Sequence, residues 1–267
     1  MRKITNLLTA GVLVIVMISC SLPSPKKKAE APRIKHNYIV LLDLSDRLIV
    51  QDNQPARDKE LISNLYYQFE EKVKKDLYIK SGDEIKIVIA PQRGADLKRD
   101  VFEDRLYVNM NTIKNVYRKT REEERRNNFM ANLDTLYRDA VFSSNREDYH
   151  GADIWKYFYE DLPMDYSPDA DTKNFLFIIT DGYPIVGQNR NKLLEVKNKF
   201  PDLQIILLEA APRDKDMEWD HVMSIWQEWF DNMGIKKYTL IKRGSITKEI
   251  EQVQSLIQES EKDLASK

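Results

Sequence analysis

The stretch YIVLLDLSDR, from Tyr38 to Arg47, decides the reading of this chain. Its apolar run, Tyr38 to Leu42, stops abruptly on Asp43. A second run, FLFIITDG from Phe175 to Gly182, stops the same way on Asp181. Short continuous runs of Ile, Leu, Val and Phe mark strands covered on both faces, as in the middle of a parallel sheet. In an open α/β sheet, ligands gather in the crevice at the carboxyl ends of such strands. Two strands that finish in aspartate bring two carboxylates to one crevice, which is a place to hold a cation.

Outward from these runs, strands and helices alternate. A helix is expected from about Ala56 to Lys74, with Leu61, Ile62, Leu65, Phe69 and Val73 on one face. Strands are expected at Glu84–Ala90, Leu203–Leu208 and Lys237–Ile241, with a short edge strand at Leu106–Val108. A helix through Leu193, Leu194 and Val196 separates the two later buried strands, and Ile246, Ile250, Val253 and Ile257 mark a closing amphipathic helix. This order argues for a doubly wound α/β domain with a mostly parallel sheet and helices on both faces. Residues 111–140 stand apart. Ile113, Val116, Leu133 and Leu136 mark their ends, but Arg118–Asn128 (RKTREEERRNN) is wholly polar, so a helical excursion projecting into solvent is expected. The aromatic stripe Trp219, Val222, Met223, Trp226, Trp229 and Phe230 reads as core packed on the sheet in preference to a set of partner anchors.

The N-terminus reads as an export signal, not as part of the fold. Arg2 and Lys3 precede an apolar stretch from about Leu7 to Ile18, too short for a membrane span. The segment Met17-Ile18-Ser19-Cys20 resembles the signal of bacterial lipoproteins, with Met17 where Leu is usual. The resemblance implies a signal peptide over 1–19 and acylation, with palmitate among the chains, at Cys20, the single cysteine of the chain. Ser21 after it leans toward the outer membrane of a bacterial cell envelope. The next residues, rich in Pro, Ser, Lys and Ala, read as a flexible tether through residue 36. Removing 1–19 takes away two cations and no acids, leaving 40 basic against 43 acidic residues. That balance does not suggest a nucleic-acid binder, and the remaining 248 residues suffice for one large core.

The segments Asp43–Arg47 (DLSDR) and Thr180–Gly182 (TDG) resemble the von Willebrand factor A family. The resemblance implies a Rossmann-like fold and a metal-ion-dependent adhesion site at the carboxyl edge of the sheet. The family's first motif is Asp-x-Ser-x-Ser. Asp43 and Ser45 match it, and Arg47 replaces the second serine. Asp181 and Gly182 match the later aspartate motif. A threonine the family places in an intervening loop becomes Ala152, within His150-Gly-Ala-Asp-Ile154. The implied ligands are Asp43, Ser45 and Asp181, holding Mg²⁺ with waters and a partner's acidic side chain. Arg47 bears on that site directly, because a guanidinium cannot ligate a metal and pairs readily with carboxylates. A metal site, a degenerate metal-free site, and aspartates that simply cap loops all stay open. Asp46 and Asp153 are further acidic candidates beside the site, and with Arg47 they are the expected partner contacts.

Other chemistry is missing. No Gly-rich loop follows the first strand, no G-x-S-x-G elbow occurs, and His36, His150 and His221 have no metal spacing. The expected function is therefore a lipid-anchored binding or scaffolding module, not an enzyme, that meets a protein partner with an acidic contact residue. A metal-assisted hydrolase using the same carboxylates is the second reading.

Overall fold

The computed structural model describes residues 33–92, 97–143, 151–183, 199–211 and 219–265. The expected signal peptide, Cys20 and the expected tether as far as residue 32 lie outside the described residues, as do His150 and the helix expected near Leu193. Ile34 onward forms one compact unit.

Six strands form one sheet in the order β3-β2-β1-β4-β5-β6. They are β1 (Lys35–Leu42), β2 (Glu84–Ile89), β3 (Tyr107–Asn109), β4 (Thr172–Ile179), β5 (Leu203–Ala210) and β6 (Lys237–Lys242). All neighbours are parallel except the antiparallel edge pair β2–β3. The tether stops sooner than expected, since Lys35 already pairs with Thr172 in strand register. Because side chains alternate along a strand, β1 sends Tyr38, Val40 and Leu42 to one core and Ile39 and Leu41 to the other. A run without polar residues is what two covered faces require.

The first face is covered by α2 (Gln54–Lys75), α3 (Arg99–Arg105), α5 (Glu122–Ser143) and α9 (Ile246–Ala265). The second is covered by α6 (Ile154–Lys156), a π-helical turn (Tyr157–Asp161), α7 (Leu162–Asp165) and α8 (Trp219–Asn232). Two short helices, α1 (Arg47–Val50) and α4 (Asn115–Thr120), complete the described elements. In α8, Val222, Trp226, Trp229 and Phe230 are buried, so the aromatic stripe is core.

The excursion differs from expectation. Phe129, Leu133, Leu136, Tyr137 and Ala140 of α5 are buried in the same core as α2. The helix therefore belongs to the layer, and its polar first turns misled the reading because the apolar stripe starts only at Phe129. Val116, one of the apolar residues at the ends of the segment, is 64% exposed.

Strand order reverses between β1 and β4. From β1 the chain moves outward through β2 and β3, then returns beside β1 and moves outward the other way. This is the switch point at which α/β sheets open a crevice. Asp43 and Asp181 follow the two strands that flank it.

Candidate functional site

Asp43 closes the end of β1. Its N–H donates to the Ile179 carbonyl at 3.0 Å, extending the β1–β4 pairing by one residue. Oδ1 accepts the Ser45 N–H at 3.0 Å, a local turn of the kind aspartate favours. Oδ2 accepts the Thr180 hydroxyl at 2.8 Å, so a side-chain bond ties the ends of the two strands together. Thr180 is buried and also accepts the Gly182 N–H. Both carboxylate oxygens of Asp43 are thus engaged within the fold.

Arg47 lies under this tie and is 0% exposed. Its Nε donates to the Asp43 carbonyl at 2.7 Å and lies 3.9 Å from Asp43 Oδ2. One terminal nitrogen donates to Asp58 Oδ2 at 2.5 Å and to the Ile179 carbonyl at 3.3 Å. Burial disfavours the charge, but Asp58 and Asp43 outweigh it and hold the guanidinium more firmly protonated than usual. Asp58 responds the other way: burial pushes its carboxyl up and Arg47 draws it back. The Tyr137 hydroxyl, pushed far up by burial and then by Asp58, donates to the same Asp58 oxygen at 3.0 Å.

A chain of buried polar groups continues from Asp58. Gln54 Nε2 bridges Asp58 Oδ1 at 2.7 Å and Glu209 Oε2 at 2.8 Å. Glu209 stands at the end of β5 with φ +65° at a register shift, a left-handed conformation that costs a non-glycine residue energy. Its carboxylate takes Arg57 at 2.5 Å and Arg243 at 3.2 Å. Arg57 also reaches Glu249 of α9 at 2.9 Å. Burial, eased by the Gly244 N–H and reinforced by Glu209, pushes the Glu249 carboxyl up to about 7. For Glu209 burial acts in the same direction, but Arg57 and Gln54 win and hold it below the usual range.

The second aspartate builds the opposite wall. The Asp181 carbonyl accepts the Ala211 N–H at 2.8 Å, and its carboxylate accepts the Tyr183 N–H at 3.3 Å. Gly182 has φ +102°, and a Cβ there would meet Val222 Cγ1 at 3.3 Å, so the turn requires glycine. Trp226 Nε1 donates to the Gly182 carbonyl at 3.1 Å, which pins the loop to α8. The Ala152 loop joins the end of β2 through an isolated bridge to Gln92 and the Asp153 N–H to Pro91 carbonyl bond.

The expected residues do gather at one sheet edge, but in altered roles. Asp43, Ser45 and Asp181 are all buried. Asp153 caps α6 by accepting the Lys156 N–H at 3.0 Å. Asp46 is exposed and begins α1 through its backbone alone. The expectation that Arg47 meets a partner is corrected by its complete burial; it is an internal strut. What the turn presents outward is Ile49 and Val50, 43% and 54% exposed, with Asp46 and Asp52 beside them.

The donor set does not fit Mg²⁺ as the side chains stand. Mg²⁺ needs near-octahedral oxygens at about 2.0–2.1 Å. A cation on Asp43 Oδ2 would share that oxygen with the Thr180 hydroxyl and with the Arg47 guanidinium, whose Nε already lies 3.9 Å from it. Unit charges 4 Å apart repel by about 4 kcal/mol at an effective dielectric of 20, and a divalent ion doubles that. Among the described residues no three His, Cys, Asp or Glu side chains cluster to hold a metal.

Sequence reasoning missed Gln54, Arg57, Asp58, Tyr137, Glu209, Arg243 and Glu249. Two signals were present. Gln54 and Asp58 fall in line with Leu61 and Leu65 on the buried stripe of α2, and Glu209 ends the β5 run as Asp43 and Asp181 end theirs. Comparison with protein-family models, curated proteins and solved structures gave no match to this chain.

Proposed function

We propose that the chain is a lipid-anchored binding or scaffolding module resembling the von Willebrand factor A family, and that it grips a protein partner at the carboxyl edge of its sheet without a metal. The observation that carries this reading is the turn after β1. Arg47, buried among Asp43, Asp58 and the Ile179 carbonyl, fixes a short helix whose outward side chains are Ile49 and Val50. Exposed aliphatic groups on a rigidly held turn, at the switch point of an α/β sheet, suit protein recognition. The strand order and the antiparallel edge strand support the family resemblance. With Arg47 inside, the partner that fits changes from an acidic contact to an apolar surface with basic groups facing Asp46 and Asp52. Acylation at Cys20 would hold this edge near a bacterial envelope membrane, and no observation favours the hydrolase.

Photo-crosslinking tests the reading in cells. A crosslinking residue at Val50 should give a discrete protein adduct that survives EDTA, whereas one at the more open Met164 should not. Adducts of equal yield at both positions, or an adduct abolished by EDTA, would reject it. Labelling with a palmitate analogue, lost in Cys20→Ala, tests the anchor separately.

A further inference from the structure

The opposite end of the sheet carries a feature that the proposed function does not use. The turn between α2 and β2 places Leu77 and Tyr78 in consecutive left-handed conformations, φ +55° and +53°. Bulky residues rarely adopt this conformation. It persists here because a buried arginine clamps the turn. One terminal nitrogen of Arg118, on α4, donates to the carbonyls of Tyr78, Ile79 and Ser81 at 3.3, 3.0 and 2.9 Å. The clamp holds Leu77 and Ile79 out at 60% and 57% exposure. The clamping helix adds Val116 and Tyr117, which are also exposed. Single exposed apolar residues need no explanation, but four on two segments joined by one arginine form a patch.

The charges around that patch are mostly positive. Segments 72–80 and 113–121 together hold eight Lys and Arg residues against one acid, Asp76. Asp76 pairs with Lys72. Glu71, Glu122, Glu123 and Glu124 border these segments; Glu71 and Glu122 pair with Lys74, Glu124 with Arg121, and Lys75 with Glu261. Lys75, Lys80, Lys114, Lys119 and Arg121 are exposed on the same two segments, with Lys119 over the Tyr78 ring and Arg121 over the Tyr117 ring. Aliphatic tips on segments with exposed cations match the boundary between acyl chains and anionic headgroups.

The domain's own chain begins at this pole. Lys35 starts β1, and its side chain packs 3.0 Å from where a Cβ on Gly82 would stand; the next N–H, of His36, donates to Asp83 at 2.7 Å. Thirteen residues, 21–33, lie between Cys20 and Ile34, so a chain anchored at Cys20 enters the domain at this pole.

We infer that the Leu77–Ile79 turn and α4 form a docking surface for an anionic phospholipid membrane, which leaves the carboxyl edge facing away from the bilayer. The inference rests on the lipid-anchor reading. Its test uses the full chain with whatever N-terminal modification it carries, mixed with vesicles of phosphatidylcholine alone or of phosphatidylcholine with phosphatidylglycerol. Amide hydrogen exchange over residues 76–82 and 113–121 should slow on the order of tenfold with the anionic vesicles only. The Leu77→Asp/Ile79→Asp variant should lose that protection with an unchanged melting temperature, because aspartate tolerates the left-handed turn. Partition into vesicles without protection at this pole, or equal protection in both lipids, would overturn the docking and leave the anchor standing. Failure to partition into either vesicle would overturn both. Protection without lipid that rises with protein concentration would assign the patch to a second copy of the chain instead.

Discussion

The two ends of the sheet handle charge in opposite ways. At the carboxyl edge Asp43, Arg47, Asp58 and Glu209 are all buried and linked in one network, Glu209 through Gln54, while the groups facing water there include Ile49 and Val50. At the opposite pole the buried guanidinium of Arg118 bonds to backbone carbonyls, and Lys75, Lys80, Lys114 and Lys119 are exposed. Buried charge builds shape in both places. The displayed charges differ in sign, with Asp46 and Asp52 at the carboxyl edge and lysines at the second pole. The difference teaches that the motif residues of the carboxyl edge fix a turn, and that the proposed partner would meet what the turn presents rather than the motif residues themselves.

The largest test of that contrast is Arg47→Ala. It leaves Asp43 and Asp58 buried without their cation and should destabilise the domain by about 3–5 kcal/mol in a denaturant melt. Pairing Arg47→Met with Asp58→Asn should recover much of that loss, giving a sizeable coupling in a double-mutant cycle. Trp226→Phe should cost about 1–3 kcal/mol, since it leaves the buried Gly182 carbonyl without its indole donor.

A pH titration of stability sharpens the comparison further. Glu249 titrates near 7 in the folded chain, well above its ordinary value. Between about pH 4.5 and 7 the folded state holds a proton that the unfolded chain releases, so this group's contribution is full at low pH and fades as pH rises through 7. Glu209, held low by Arg57 and Gln54, contributes the opposite slope, present at neutral pH and lost on acidification. Glu249→Gln should remove the decline between pH 5 and 8 while leaving the acid limb. The smallest effect belongs to the displayed charges. Lys114→Ala should alter stability by no more than about 0.5 kcal/mol, and a larger change would blur the distinction between the two poles.

Much of the fold was legible because buried parallel strands leave uninterrupted apolar runs, as at Tyr38–Leu42 and Phe175–Ile179. The convergence of Asp43 and Asp181 was legible for the same reason, once their strands were taken as neighbours. The internal network was not. A polar side chain on a helix normally signals solvent, so Arg57 and Asp58 drew no attention and Gln54 fell outside the expected helix, although Gln54 and Asp58 lie on the buried stripe of α2. Glu209 was hidden by its backbone, since nothing in the residue type announces a left-handed turn at a strand end. Arg47 was recognised as an obstacle to a cation but assigned to the surface, because motif spacing does not give burial. The polar run at Arg118–Asn128 hid both the Arg118 clamp and the packed half of α5.

The most direct test of the metal-free account is a crystal structure of the full chain grown in millimolar Mn²⁺, with anomalous scattering used to locate the ion. The account predicts the Arg47 guanidinium between Asp43 and Asp58, with Thr180 still bonded to Asp43 and no anomalous peak at the crevice. A six-coordinate ion bound to Asp43, Ser45 and Asp181, with Arg47 displaced toward solvent, would contradict it.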